Sequence, residues 1–156
     1  MGNLELRKFT RTTWNDFYKN YNFDPMMEDE PYLYDEEKVN LNFDVRMADT
    51  TREYFAICND EKIIGQIYLK HINKEKKSAE FGVALINNSV KNKGLGTKAI
   101  KTLLDYAFNT LGLSSIYADT IIRNKRSQHI LEKVGFSKIM EDSSFIFYKI
   151  DRTDNI

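Results

Sequence analysis

The sequence predicts an α+β fold, α/β-like in outline. It is a mixed, mostly antiparallel sheet with helices on both faces, in the order β-α-α-β-β-β-α-β-α-β-β. Three observations predict it. Residues 53–86 carry three closely spaced apolar runs separated by short polar turns. Residues 100–111 repeat apolar side chains at steps of three and four. A second helical pattern at residues 124–134 is closed by Gly135.

The elements follow in order. "LELRKFT" alternates weakly and predicts a first strand. In "TTWNDFYKNY", Thr13 is the predicted N-cap, and Trp14, Phe17, Tyr18 and Tyr21 share a helical face. "FDPMMEDEPYLYDEEK" holds both prolines and a dense acidic run, so it predicts a loop ending near Tyr34. Asp35 caps a second helix in which Val39, Phe43 and Met47 keep a spacing of four. "EYFAICNDEKIIGQIYLKHI" predicts two strands about an Asn59-Asp60 turn. "AEFGVALI" is apolar almost throughout, as a strand covered on both faces should be. After a glycine loop, Ile100, Leu103, Leu104, Ala107, Phe108 and Leu111 line a strongly amphipathic helix that stops at Gly112. "SSIYADTII" is another strand. In "NKRSQHILEKVGF", Asn124 caps a short helix, and "SKIMED" and "SSFIFYKI" close the chain as a strand pair.

Length and charge bound the function. A chain of 156 residues predicts one domain, residues 1–156, with a sizeable core. Lysine plus arginine equals aspartate plus glutamate, 23 each, so no nucleic-acid partner is expected. One cysteine, Cys58, and two isolated histidines offer neither a disulfide nor a metal site. No apolar run has transmembrane length and no signal peptide is visible, so no membrane partner and a cytoplasmic setting are expected.

"KNKGLGTKAI" is the stretch that carries chemistry. Gly94 and Gly96 remove the Cβ atoms that would block an approaching anion. The helix behind them brings unpaired N–H groups and a partial positive charge, and Lys91, Lys93 and Lys98 add formal charge. A tight strand-to-helix turn with solvated lysines is the bland alternative. The spacing fails the P-loop pattern, and the preceding meander does not fit a dinucleotide fold.

With "KNKGLG" and the downstream "N..S..ILEKVGF" together, the chain resembles the GNAT-fold N-acetyltransferases, and more narrowly their ribosomal-protein alanine branch. Lys91 stands where that family has Gln or Arg, while Asn124, Ser127, Ile130, Lys133, Gly135 and Phe136 match its second motif. The resemblance implies acetyl-CoA as co-substrate, no metal, and an amine acceptor. It implies a monomer or homodimer. The backbone of Asn92, Lys93, Gly94, Leu95, Gly96 and Thr97 would hold the pyrophosphate. Ala84, Leu85 and Ile86 would lie beside the pantetheine arm, with Asn124 near its thiol end and Lys133 toward the nucleotide phosphates.

Acetyl transfer needs a neutral amine, a polarised carbonyl and a stabilised leaving thiolate. A backbone N–H within residues 84–86 is the expected polariser. Glu80 is the candidate base, or else it begins its strand at the exposed end and pairs with a lysine of "KEKK". The tyrosine that many relatives use as the acid is Leu131 here. Ser127 is the candidate that replaces it, against a plain packing role near the helix cap, and Tyr148 is a weaker one. The acidic run of residues 27–37 would favour a cationic acceptor, or is simply solvated. Two functions remain open: a direct-transfer N-acetyltransferase, and a catalytically silent CoA-binding module.

Overall fold

The computed structural model describes residues 3–87, 90–91 and 93–152. Its elements are β1 (Leu4–Lys8), α1 (Arg11–Asn20), α2 (Glu36–Ala48), β2 (Glu53–Asn59), β3 (Lys62–Asn73), β4 (Ser78–Leu85), α3 (Leu95–Asp105), β5 (Ser115–Ile121), α4 (Lys125–Val134), β6 (Ser137–Glu141) and β7 (Phe145–Asp151). A π-helical turn, Tyr106–Thr110, continues α3. Both the order and the class are those the sequence predicts.

Seven strands form one sheet in the order β1-β2-β3-β4-β5-β7-β6. Every neighbouring pair is antiparallel except β4 with β5. Alternation along the strands divides the core in two. On one face Phe55, Ile57, Ile67, Leu69 and Phe81 pack with the stripe of α3 and with Leu131 of α4. On the other, Tyr54, Ala56 and Cys58 pack under Trp14 and Phe17 of α1 and Val39 of α2.

Local chemistry moves two predicted boundaries. Thr10, not Thr13, caps α1: Thr10 Oγ1 accepts from the Thr13 N–H at 3.1 Å, and Thr13 Oγ1 accepts from the Thr10 N–H at 2.9 Å. Two threonines three apart satisfy each other in a reciprocal box, so the helix starts a turn earlier than the apolar stripe does. The β2–β3 turn is Asp60-Glu61, with φ of 52° and 69°, the twist that a two-residue hairpin requires.

Candidate functional site

The site starts from a break in the sheet. β4 and β5 pair only at Ser78–Ser115, Ala79–Ile116 and Glu80–Tyr117, and then part. The Ile86 N–H donates to the Ile64 carbonyl on the β3 side at 2.8 Å. Backbone groups alternate in direction along an extended strand, so the N–H groups of Val83 and Leu85 point the other way, into the gap. Of the three residues expected beside a bound arm, Leu85 therefore offers its donor there. Ile86 is committed on both sides, since its carbonyl accepts from the Asn22 N–H at 2.8 Å.

A cleft of about 390 Å³ fills the gap. Leu85, Gly96 of α3, the α4 cap Asn124 and Ser127 of α4 all line it. Gly94 precedes α3 at φ +77°, and the helix starts with no side-chain cap, which leaves first-turn N–H groups open. A Cβ at Gly96 would lie 3.9 Å from Leu85 Cδ1, its nearest neighbour, so this turn stands clear of other chain. Open donors, the exposed Lys93 and Lys98, and the adjoining cleft make a cradle that fits a pyrophosphate leading into an extended arm. Asn92 lies outside the described residues. Lys133 sits exposed in the last turn of α4, about 13 Å along the axis from Asn124, and does not line this cleft.

Lys91 differs from its neighbours. Its ammonium is buried and bonds Asp24 Oδ2 at 2.6 Å. Arg126 of α4 reaches the same oxygen at 2.9 Å. Burial pushes the Asp24 carboxyl up, but the bonds from Lys91, the Met26 N–H and Arg126 outweigh it and hold it below the usual range. Arg123 adds bonds to the Pro25 and Glu28 carbonyls and to Asp29. Part of the acidic run is thus tied to the residues just before α4, with the Asp29 side chain still exposed to solvent.

The candidate acid–base groups separate clearly. Asn124 accepts from the Ser127 N–H at 3.0 Å, which fixes the start of α4 at the cleft wall. The Ser127 hydroxyl has no hydrogen-bond partner among the described residues. Tyr148 is core: its hydroxyl donates to Glu132 at 3.1 Å, and burial helps push it up to about 12. Glu80 is bonded to His71 rather than to a lysine of the turn, and it does not line this cleft. Asp119 of β5, which sequence reasoning missed, does line the cleft. The residue itself is exposed to solvent, and partial desolvation at the cleft wall, with the Glu80 charge, raises its carboxyl against the pull of Lys70. Its signal in the sequence is a lone acid within an otherwise half-buried strand.

Known proteins bear on this geometry. Residues 3–137 match the family model described as an acetyltransferase (GNAT) domain. The chain is 34% identical over 110 residues to the spermidine N(1)-acetyltransferase of Escherichia coli, a match covering 70% of this chain and 58% of that protein's length. It is 30% identical over 77 residues to a putative ribosomal N-acetyltransferase of Bacillus subtilis, covering 49% of this chain and 42% of that one. Its fold superposes on spermidine N-acetyltransferase from Vibrio cholerae, a structure in complex with CoA and spermine, with a TM-score of 0.85, 21% identity and 97% of each chain covered. The narrower ribosomal resemblance thus rests on a shorter match than the one to the spermidine enzyme.

Proposed function

The chain belongs to the acetyltransferase (GNAT) domain family, and from that premise we propose that it transfers the acetyl group of acetyl-CoA to a primary amine, directly and within a ternary complex. The observation that carries this reading is the meeting of two sets of open backbone donors in one cleft: the gap edge of β4 and the uncapped start of α3.

The first-turn N–H groups of α3, with Lys93 and Lys98, hold the pyrophosphate, and Asn124 donates to the arm. The Leu85 N–H polarises the thioester carbonyl as negative charge grows on its oxygen. The amine nitrogen forms the new C–N bond, and the C–S bond breaks. Asp119 accepts the proton the amine gives up, directly or through one water. Glu80 supports it from the same side of the sheet by keeping its proton affinity raised. Ser127 donates its hydroxyl proton toward the departing sulfur and regains one from solvent. Among the described residues no Cys or Ser/His pair stands at the cleft as a nucleophile, in keeping with direct transfer.

Spermidine, named for one relative, and a protein N-terminus, implied by the resemblance to the ribosomal-protein branch, are the reference acceptors. A monomer or homodimer is the assembly we expect, checked by light scattering. The silent-module reading rests on Leu131 alone, and the Ser127 hydroxyl at the same wall supplies a donor in its place. A thiol-release assay with acetyl-CoA and a panel of amines tests the proposal. Acetyl-CoA should stabilise the fold and at least one amine should turn over. Stabilisation without any turnover would select the silent module, and no stabilisation at millimolar acetyl-CoA would sink both readings.

A further inference from the structure

A second cavity, about 340 Å³, lies between α1, α2 and strands β2–β4. It meets the cleft at Glu28, Tyr68 and Lys70, which line both. An amine presented to the cleft would trail its other end into this cavity, so its walls set the acceptor class. This inference rests on the reading of the cleft as an acetyl-transfer site.

The walls do not suit a polyamine tail. Arg46, Arg52 and Lys70 line the cavity against one carboxylate, Glu28. That carboxylate is already engaged, by the Tyr21 hydroxyl at 2.9 Å and the Asp24 N–H at 3.3 Å. The aromatic rings that could attract an ammonium are turned on one another. Tyr54 stacks on Tyr68 at 4.8 Å, and Trp14 meets Tyr54 edge-on at 5.3 Å. Donors, by contrast, are in surplus. Arg52 bonds the Tyr54 hydroxyl at 2.8 Å and pairs with Asp49 at 3.3 Å. The Arg46 guanidinium has no hydrogen-bond or ion-pair partner among the described residues. The buried Trp14 Nε1 and Tyr32 Oη, from two further lining residues, have no hydrogen-bond partner either. A guanidinium fork matches the paired oxygens of a carboxylate or a phosphate.

We propose that the acceptor is a primary amine carrying an anionic group, a carboxylate or a phosphate, at the end remote from its nitrogen, and that Arg46 binds that group. The whole chain is assayed with acetyl-CoA against three series of matched length: ω-amino carboxylates, aminoalkyl phosphates, and diamines including spermidine. Members of one anionic series should exceed the equal-length diamines in kcat/KM by about tenfold or more, the scale of one hydrogen bond to a charged group. Which series leads identifies the anion. Arg46→Met should bring that ratio toward one, chiefly through KM, with an unchanged circular-dichroism melt as the folding control. Preference for spermidine, or a ratio unmoved in Arg46→Met, overturns the proposal and leaves the acetyltransferase reading intact. If acetyl-CoA binds and no amine turns over, the transfer reading fails instead. The anion site is then judged by thermal shift with an ω-amino carboxylate plus CoA, where equal shifts in wild type and Arg46→Met overturn it.

Discussion

Asp24 Oδ2 lies 2.6 Å from Lys91 Nζ, across 67 residues of chain and out of reach of solvent. The same oxygen takes a bond from Arg126. One carboxylate therefore binds the segment after α1, the approach to α3 and the first turn of α4 together.

Removing that carboxylate strands a buried cation. Asp24→Ala should destabilise the fold by about 3 to 5 kcal/mol, the usual cost of breaking a buried pair on one side. Because the folded carboxyl is held below its ordinary value, its contribution is complete above the usual aspartate range. It is lost as pH falls through the depressed folded value. Urea midpoints should therefore separate wild type from Asp24→Asn most at neutral pH and converge in acid. A gap that holds or widens in acid would contradict the clasp.

Gly96→Asp should leave the melting temperature within a few degrees of wild type, since a Cβ there meets nothing closer than 3.9 Å. Acetyl-CoA binding should nevertheless fall by more than about tenfold, because a carboxylate would sit among donors meant for phosphate. Calorimetric titration decides it, and undiminished affinity would displace the pyrophosphate from this turn.

The acid limb of kcat/KM belongs to Asp119 if that residue takes the amine proton. Its carboxyl is raised, so the proton stays on to a higher pH than for an ordinary aspartate. Activity should fall as pH drops through that raised value. Asp119→Asn should lower kcat by about 10²-fold or more and remove the limb. An unaltered pH profile in the variant would return the role to Glu80.

Ser127→Ala should keep its helix cap, because Asn124 bonds the Ser127 N–H and not its hydroxyl. We expect kcat to fall by about tenfold or more with KM for acetyl-CoA little changed. A solvent isotope effect on kcat identical in wild type and variant, with no rate loss, would reduce Ser127 to packing.

Gly82→Ala tests the junction of the two cavities. A Cβ there would lie 2.4 Å from Cζ and Oη of Tyr68, so the ring must move. The cost should be about 1 to 3 kcal/mol of stability, with a loss of turnover measured at fixed acetyl-CoA. Normal stability and turnover would show that the Tyr68 ring has room to yield.

The sequence made the element order and the glycine stops legible because periodicity and φ-permissive residues are local signals. The open start of α3 was legible for the same reason: Gly94 and the first turn of that helix are adjacent in the chain. What escaped was non-local. Asp24 reads as one more acid in an acidic run until the fold sets it against Lys91. The Glu80–His71 bond was hidden because alternation pairs Glu80 with Lys70. A bulge after Lys70, with His71 at φ 52°, brings the ring within bonding reach. Asp119 acquires meaning only because β5 parts from β4 before reaching it. The charge of the second cavity was unreadable too, since Arg46, Arg52 and Lys70 come from three elements.

The parting of β4 and β5 has a consequence for how freely this chain can drift. The donors it exposes are main-chain atoms, and every residue except proline supplies one. Substitution at Val83 or Leu85 can widen or narrow the slot without erasing the N–H groups turned into it. The slot's donors are therefore a property of main-chain shape, and the side chains around them can differ without removing one.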